Sequence, residues 1–441
     1  MHFSCLVRFC VVPLVIANGP VHAAAANESE RLDKPFVEAS YIVAFKPSAG
    51  IARSPIVPAQ SREQLRTRAP IPFGEHTTGQ SKGALAIELA IRGQVVSIFD
   101  TINAAHLKID AAEAERLRKD PRVLRVEQNM WGTTSQTVQV APGWALDRLD
   151  QPLPPLNNQY VFNANGAGQT IYILDSGLDL GNAAVAAEFG NRATVFWDVN
   201  GLGGLDCLGH GTQVASAAAG ATRGLAKGAT LIIAKIPTGC TINSDTATWA
   251  LAFNWLAANA PRGTTANLSS GLQYTNGACA PAAIVQAVED AIRAAHNAGI
   301  IVVVSAGNDG CDTATFTPVR IPEAFVVGAT DFSRFAFQQD ARTTFSRFGA
   351  NISTFAPGQQ VPTITFNGQA ANSNGTSFAA PFMSGMFAVG CQVVAPLCTT
   401  EPVANLYAQL RGIGVQGSVV NPGGGPLPPG TTSRFIPRAA W

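Results

Sequence analysis

The chain has 441 residues, 46% hydrophobic and 13% charged, and a formal net charge of +1 at pH 7. This length accommodates two or three domains, and the low charge with abundant Ala and Gly is typical of a large, tightly packed α/β body. The absence of a basic patch argues against a nucleic-acid partner.

The N-terminus predicts a signal peptide. Arg8 precedes a short apolar run, residues 9–17, and Val21-His22-Ala23 follows, which resembles an export leader with its cleavage site. The run is too short to span a bilayer, and the polar segment 27–34 disfavours the alternative of a buried N-terminal strand. We therefore assign residues 1–23 to a signal peptide and expect secretion, either to the medium or to a periplasm, with no membrane span.

Export bears on the eight cysteines, of which Cys5 and Cys10 lie in the signal peptide. An even number in the rest of an exported chain predicts disulfides, although free buried thiols are the alternative. Six cysteines allow fifteen pairings, and the pattern singles out only Cys391 with Cys398, across a short loop. No CxxC spacing indicates zinc. The six are Cys207, Cys240, Cys279, Cys311, Cys391 and Cys398.

Residues 35–130 have the pattern of a small α+β unit. A capping-box-like start at Asp110 opens its second helix, and Asp120-Pro121 stops that helix. The stretch 48–79 is rich in Pro, Arg, Gln and Thr and predicts a loop or a weak helix. The predicted order is strand 40–46, helix 82–91, strand 95–99, helix 110–119 and strand 122–127.

Residues 130–160 have the composition of a linker, with Thr, Gln, Pro and Asn and few apolar runs. Proteolysis concentrates in such exposed, polar segments. We therefore assign residues 131–145 to a linker and processing region.

From Gly168 onwards, short continuous apolar runs alternate with helical segments. Such runs are typical of strands buried on both faces, and their alternation with helices predicts a parallel sheet flanked by helices. We therefore predict an α/β fold for residues 146–400. Residues 401–441 are predicted to be a C-terminal extension, either a surface tail or a segment packed on the body. The predicted strands are 170–174, 230–234, 300–304 and 325–329, and the predicted helices are 211–219, 247–258 and 282–298.

Two polar residues lie just after predicted strands, at the strand ends where ligands bind in parallel sheets. Asp175 comes after the strand 170–174, and Asn308 follows the strand 300–304 in the sequence Ser-Ala-Gly-Asn. Each has a structural alternative, because Asp and Asn also occur in turns before glycine. Alone, neither decides a function.

A histidine and a serine stand at predicted helix starts. His210 lies between two glycines, and the other histidine after the linker, His296, lies at a helix C-terminus, which suits a structural cation. Ser377 precedes Pro381, a residue tolerated in the first turn of a helix. Ser377 is therefore either a helix cap or a nucleophile whose oxyanion is stabilised by the helix N-terminus.

Together, these residues suit nucleophilic catalysis. A serine hydroxyl is a poor nucleophile unless an imidazole accepts its proton, and a carboxylate fixes that imidazole and stabilises its charged form. An amide donor aimed at the oxyanion contributes about 3 kcal/mol. Asp175, His210, Asn308 and Ser377 supply one group for each of these tasks.

Four motifs in this order resemble those of the subtilisin-like serine proteases, the subtilase family, with the proteinase K branch nearest. They are DSGLD around Asp175, HGTQVAS around His210, SAGND around Asn308 and NGTSFAAP around Ser377. The connecting segments FVVGAT and TFSRFGANISTFAPG match as well, and the resemblance covers residues 141–395. It implies a subtilisin-like catalytic domain that hydrolyses peptide bonds of protein or peptide substrates.

The resemblance also implies residue roles. Ser377 would be the nucleophile, His210 the general base and acid, and Asp175 the residue that orients His210, with Asn308 and the Ser377 N–H forming the oxyanion hole. The segment 267–271 resembles the family's substrate-pairing edge. With no charged side chain in the pocket walls, we expect broad specificity with an apolar or aromatic P1 residue. The implied substrate-binding residues are Ser269, Ser270, Gly271, Ser305, Ala306 and Gly307.

Residues 35–130 resemble the inhibitor I9-type propeptide of this family, which implies a self-processing zymogen. The propeptide would be an intramolecular chaperone and temporary inhibitor, with its end near 127–131 in the active site. We expect a monomer and no cofactor for the chemistry. A structural calcium ion is an expectation from the family alone, because no ligand set can be matched.

The chain departs from the family's pattern at three positions. Phe382 stands where His is common, Ala380 replaces a common Thr, and Ser270 replaces a larger apolar residue. None of these changes removes a catalytic group, but those at Ala380 and Ser270 leave the shape of the substrate pocket undetermined by the sequence. The sequence argues against two alternatives. A catalytically silent scaffold with the same fold has no need of all four groups. An α/β-hydrolase needs a GxSxG elbow and the order Ser, Asp, His, whereas the second Gly is absent around Ser377 and the order here is Asp, His, Ser.

Overall fold

A computed structural model describes residues 36–46, 89–99, 103–130, 137–199, 201, 203–241, 243–272, 279 and 283–437. The chain divides into two compact units at the boundary between residues 134 and 135. The predicted signal peptide and most of the predicted helix 82–91 lie outside the described residues.

Within its described residues, the first unit contains one helix and a four-stranded antiparallel sheet, in the order β2 (Gly93–Phe99), β3 (Ala104–Ile109), β1 (Phe36–Phe45), β4 (Val123–Met130). The helix begins at the predicted cap, since Asp110 Oδ1 accepts a hydrogen bond from the Glu113 backbone N–H at 2.7 Å. Its residues Ala114 and Leu117 are buried with Val43 and Leu107 of the sheet. The elements are β1 (Phe36–Phe45), β2 (Gly93–Phe99), β3 (Ala104–Ile109), α1 (Ala111–Arg118) and β4 (Val123–Met130).

The sequence prediction missed β3. This strand contains two alanines and a lysine, residues depleted in strands, so its sequence carries a weak β signal. It forms because it pairs with β2 on one side and with β1 on the other, and because alternate residues, Ala105, Leu107 and Ile109, are buried.

The second unit is built on a mostly parallel sheet, as predicted. Neighbouring strands follow the order β8 (Ala193–Asp198), β9 (Thr230–Lys235), β7 (Thr170–Asp175), β10 (Thr265–Leu268), β11 (Ile301–Ser305), β12 (Phe325–Asp331), and every pair in this series is parallel. At the end of the series, β14 (Ile352–Pro357) pairs with β12 in parallel. β13 (Asp340–Arg342) pairs with β12 antiparallel and also pairs with β17 (Val419–Val420). The apolar runs form buried strands because helices cover the sheet, and the long helix at Thr376–Val393 is buried from Thr376 to Cys391.

In chain order, the elements of the second unit are β5 (Thr137–Val140), α2 (Trp144–Leu149), β6 (Gln159–Phe162), β7 (Thr170–Asp175), α3 (Ala183–Phe189), β8 (Ala193–Asp198), α4 (His210–Ala219), β9 (Thr230–Lys235), α5 (Thr246–Asn259), β10 (Thr265–Leu268), α6 (Gln286–Asn297), β11 (Ile301–Ser305), β12 (Phe325–Asp331), β13 (Asp340–Arg342), β14 (Ile352–Pro357), β15 (Val361–Ile364), β16 (Ala370–Ser373), α7 (Thr376–Val393), α8 (Ala395–Thr400), α9 (Val403–Gly412) and β17 (Val419–Val420), with short 3₁₀ turns at Gly190–Arg192, Thr313–Thr315 and Phe335–Phe337.

The linker prediction was wrong for residues 137–160. This part of the chain pairs β5 with β6 and forms α2. Arg148 of α2 is fully buried and pairs with Asp340 of β13, with Nε–Oδ1 and Nη2–Oδ2 distances of 2.8 and 2.7 Å. Polar composition misled the prediction because the polar groups are used in such internal contacts.

The chain after residue 400 packs on the body, which was one of the two predicted alternatives. Leu406, Tyr407 and Leu410 of α9 are buried in the main core, and so are Phe435 and Ile436 near the C-terminus. The Tyr407 hydroxyl donates to the Val302 carbonyl in β11.

All six cysteines that were predicted to form disulfides do so. The bridge Cys391–Cys398 confirms the one pairing that the sequence singled out. The others, Cys207–Cys240 and Cys279–Cys311, join residues more than thirty positions apart, and the sequence alone could not choose them from the alternatives.

Candidate active site

The parallel sheet brings several predicted site residues to one edge. Asp175 is the last residue of β7 and Ser305 the last residue of β11, while Ser269 directly follows β10, which lies between those two strands. Because the three strands are parallel neighbours, their carboxyl ends meet at the same edge of the sheet. Asn267 and Leu268, expected on a substrate-pairing edge, instead belong to the central strand β10.

Asp175 and His210 form a hydrogen-bonded pair. The His210 Nδ1 and Asp175 Oδ1 atoms are 2.7 Å apart, and Oδ1 also accepts from the Ser176 backbone N–H at 2.8 Å. The Asp175 side chain is 3% exposed and the His210 side chain 29% exposed. Burial lowers the pKa of His210, but the charge and hydrogen bond of Asp175, with a smaller contribution from Asp206, outweigh it and raise the pKa above 6.5.

A buried carboxylate that the sequence analysis overlooked, Asp206, supports the start of the histidine helix. Asp206 is 1% exposed. Its two oxygens accept from the backbone N–H groups of Leu208, Gly209 and Thr212, and from the hydroxyls of Thr212 and Ser176. A carboxylate that accepts this many hydrogen bonds organises the turn that presents His210. The only sequence signal was an Asp four residues before the histidine.

Ser377 lies in the first turn of α7 and is 8% exposed. Its hydroxyl donates to the Ser269 carbonyl at 3.2 Å, and the Ser269 hydroxyl donates to the Ser377 carbonyl at 2.9 Å. Pro381 is the sixth residue of α7, not a first-turn residue as expected, and it has no N–H to give the Ser377 carbonyl its helical hydrogen bond. Ser269 supplies the missing donor.

Asn308 is oriented by the residue before Ser377. Its Oδ1 accepts from the Thr376 backbone N–H at 2.8 Å and from the Thr376 hydroxyl at 2.9 Å. The same hydroxyl accepts from the Gly307 backbone N–H at 3.0 Å. With Oδ1 occupied, the amide Nδ2 is left as the donor that Asn308 can offer to a ligand.

These groups open on one cleft of about 570 Å³. Of the ten predicted site residues, all except Ala306 line it. Ala306 is 0% exposed and lies beneath the cleft surface. The cleft also contains residues that the sequence analysis did not select, among them Leu272, Phe378 and Trp249, whose apolar character at these positions gave no distinguishing signal.

Sequence comparison relates the chain to a known protein family. The subtilase family model (peptidase S8) matches residues 166–409. The chain belongs to the subtilase family. It is 30% identical to "Extracellular serine proteinase" of Thermus sp. (strain Rt41A), over 91% of this chain and 92% of that protein. It is 32% identical to "Alkaline serine exoprotease A" of Vibrio alginolyticus, over 68% of this chain and 54% of that protein, so the chain spans about half of the Vibrio protein.

A solved structure also resembles this subtilase. The crystal structure of a cold adapted subtilisin-like serine proteinase aligns with a TM-score of 0.57 and 28% identity, covering 67% of this chain and 97% of that one. The predicted α/β subtilisin-like fold is therefore confirmed.

The two walls of the cleft in this subtilase are joined from below by Arg347. Its side chain is fully buried; Nη2 donates to the Leu272 carbonyl at 2.8 Å, and Nε donates to Asp309 Oδ1 at 2.6 Å, with a second, shorter contact between Nη2 and Asp309 Oδ2. The guanidinium carbon also lies 3.5 Å from the ring centroid of Phe316. Gly307, at φ +109°, has no room for a side chain, because a Cβ there would approach Arg347 Nε to 2.6 Å.

Metal-binding clusters and membrane spans were predicted differently by the sequence, which expected a calcium ion and no span. Among the described residues, no three His, Cys, Asp or Glu side chains are grouped to hold a metal ion, and the calcium ion expected from the family stays a prediction. Within the same residues, no helix is long and apolar enough to cross a membrane.

Proposed function

We propose that this subtilase is a secreted serine endopeptidase that acts through an acyl-enzyme, with Ser377 as nucleophile, His210 as general base and acid, and Asp175 as the residue that orients His210. The observation that carries this proposal is the 2.7 Å contact between His210 and Asp175 at the cleft that Ser377 and Asn308 also line. A buried carboxylate paired with a partly exposed imidazole, in a cleft that Ser377 also lines, favours the protease over the scaffold.

In the first step, Ser377 transfers its proton to His210 as its oxygen attacks the substrate carbonyl carbon. Asp175 accepts from His210 Nδ1 and stabilises the imidazolium, whose proton then passes to the leaving amine. Because the Ser377 hydroxyl donates to Ser269 in the substrate-free chain, it must turn from that carbonyl to the imidazole for the attack. A water molecule then releases the acyl group by the reverse sequence.

The oxyanion formed in each step would be bound by Asn308 Nδ2 and by the Ser377 backbone N–H at the start of α7. Thr376 is a positioning residue here, since its hydroxyl and backbone N–H both hold Asn308 Oδ1. Donors fixed before the reaction cost no reorganisation when the charge develops.

Substrate would pair with the segment after β10 and fill a pocket between residues 269–272 and 305–308. We propose Ser269, Ser270 and Gly271 for one wall and Ser305 and Gly307 for the other, with the wholly buried Ala306 supporting the second wall from behind. The walls present small residues and Leu272, which supports an apolar or aromatic P1 residue and broad specificity.

We propose further that the chain is a zymogen whose first unit is a self-cleaved propeptide and inhibitor. Its separate antiparallel sheet and helix support this role. Secretion is supported by the predicted signal peptide, by the three disulfides and by the name of the Thermus relative. We propose protein or peptide substrates and a monomeric enzyme that needs no cofactor for the chemistry.

The test compares the secreted wild-type chain with Ser377→Ala, using Ser333→Ala, an exposed turn serine, as the matched control. We expect mass spectrometry to find a mature N-terminus within about residues 128–142 for the wild type and Ser333→Ala, and an uncut precursor for Ser377→Ala. A fluorophosphonate probe should label the two processed chains at Ser377. A folded, unlabelled wild-type chain would favour the scaffold, and equal processing of all three would show that another protease makes the cut.

A further inference from the structure

A second cavity, of about 390 Å³, lies in the C-terminal half of the chain, between the end of α9, the start of β14 and the segments at 321–324 and 430–434. Its lining contains two arginines, Arg411 and Arg434, and polar groups of Ser353, Asn351 and Thr432, but no aspartate or glutamate. Since the whole chain carries a net charge of only +1, this pair of cations is a local feature of the cavity.

Neither arginine is neutralised by a carboxylate within the part of the chain that the structure describes. Arg434 Nη1 donates to the Ser353 carbonyl at 3.1 Å, and the side-chain oxygen of Gln416 accepts from Arg434 Nε and Nη2. The Arg411 guanidinium has no hydrogen-bond or ion-pair partner among the described residues. Glu323 lies in sequence between two lining residues, Pro322 and Ala324. Its carboxylate pairs with Arg293 instead, and Glu323 Oε2 is 3.6 Å from Arg293 Nε.

Two half-buried cations without a carboxylate partner cost free energy. Both arginines are half-buried, and burial lowers the pKa of each, while the charge of Arg411 lowers the pKa of Arg434 further. Proteins ordinarily pair charges that are removed from water. An anion in the cavity would relieve both the desolvation and the repulsion.

We propose that this cavity is a binding site for an oxyanion group, a phosphate, sulfate or carboxylate, held by Arg411 and Arg434. A guanidinium presents two parallel N–H donors that match such oxygens, and the Thr432 hydroxyl offers a further donor. The volume leaves room for an organic group attached to the anion. The site uses no residue of the proposed catalytic cleft, so the inference does not depend on protease activity.

The test measures thermal unfolding of the full chain, carrying Ser377→Ala to prevent self-digestion, with inorganic phosphate against chloride at equal ionic strength. We expect saturating phosphate to raise the midpoint by about 2 °C and Arg411→Gln or Arg434→Gln to abolish the rise. Arg411→Lys keeps the charge but loses the paired donors, so it should retain less than half of the shift. Arg223→Gln, which removes one positive charge elsewhere, should keep the full shift.

Each variant is compared with its own phosphate-free midpoint, so a change in basal stability does not obscure the result. Replacing phosphate by acetate asks which oxyanion fits: a larger shift with acetate assigns the site to carboxylates, and a larger shift with phosphate assigns it to phosphate or sulfate. No shift with any of the anions, or an equal shift in Arg411→Gln, Arg434→Gln and the parent chain, overturns the proposal.

Discussion

Ser269 and Ser377 exchange two hydrogen bonds, each hydroxyl donating to the carbonyl of the other residue, at 2.9 and 3.2 Å. The bond from the Ser269 hydroxyl to the Ser377 carbonyl compensates for Pro381, which has no N–H to donate to that carbonyl. We therefore predict that Ser269→Ala leaves that carbonyl unpaired in a buried place and lowers the free energy of unfolding by about 1–3 kcal/mol. Urea denaturation of the Ser377→Ala chain, which keeps the carbonyl, measures the loss.

The control is a double-mutant cycle with Pro381→Ala. An alanine at 381 supplies the backbone N–H that the Ser377 carbonyl lacks, so Ser269→Ala should cost less in that background. If the cost is the same with proline and alanine at 381, the compensation is not the reason for the Ser269 contact.

The charge of Asp175 raises the pKa of His210, and this sets the acid limit of activity. Because the neutral imidazole is the general base, we predict that kcat/KM rises with pH through a midpoint above 6.5. The stability that His210 contributes depends on pH in the opposite direction to activity. The raised pKa of His210 stabilises the folded chain below the unfolded pKa near 6.5, and this stabilisation is lost as pH rises through the folded pKa.

Titration of His210 by NMR in the Ser377→Ala chain tests this directly. Asp175→Asn should lower the pKa of His210 below that of the parent, because burial remains while the opposing charge is gone. An unchanged His210 pKa in Asp175→Asn would contradict the electrostatic account.

The sequence predicted the parallel core because strands buried on both faces are continuous apolar runs, as in β7 and β11. It predicted Asp175, His210, Asn308 and Ser377 because their residue types suit one chemistry and their motifs match a family. It missed Asp206 and Arg347, since a supporting residue acts through contacts that the chain makes only when folded. A buried Asp or Arg has no local pattern that distinguishes it from an exposed one.

The sequence prediction missed the short strands in the polar N-terminal part of the second unit for a related reason. β5 and β6 contain four residues each, and tertiary pairing specifies them more than local propensity does. The position of Pro381 inside α7, rather than in its first turn, likewise depends on a donor from a residue 108 positions away in the chain.

Thr376 offers a test of oxyanion positioning. Thr376→Val keeps the shape but removes the hydroxyl that holds Asn308 Oδ1 and accepts from Gly307. We predict a fall in kcat of about tenfold with a smaller change in KM, whereas Asn308→Ala, which removes the donor itself, should cost about 10²–10³ in kcat. Steady-state kinetics on one peptide substrate measure both.

Thr376→Ser is the matched control, because serine keeps the hydroxyl and loses only a methyl group. Its kcat should lie closer to the wild type than that of Thr376→Val. A valine variant with wild-type kcat would show that the Thr376 backbone N–H alone orients Asn308.

The ion pair between Arg347 and Asp309 should matter for both stability and the P1 preference. Arg347→Met leaves the Asp309 carboxylate without its partner and should cost about 3–5 kcal/mol of unfolding free energy, because that carboxylate lies in a largely buried site. Adding Asp309→Asn removes the unpaired charge, so the double variant should recover part of the loss. Thermal unfolding of these variants in the Ser377→Ala background measures the coupling.

The same pair makes a prediction for the active chain. Burial raises the pKa of Asp309, but its hydrogen bonds to Arg347 and the charge of Arg347 outweigh this and lower the pKa below 3.8. The carboxylate is therefore charged throughout the working range. Its stabilising contribution is present above the unfolded pKa and is lost as pH falls through the folded value.

In the double variant, the Leu272 carbonyl also loses its donor, which loosens one cleft wall. We expect KM for substrates with a large aromatic P1 residue to change more than KM for small ones, with kcat changing less. Equal changes for all P1 residues would assign Arg347 to stability alone.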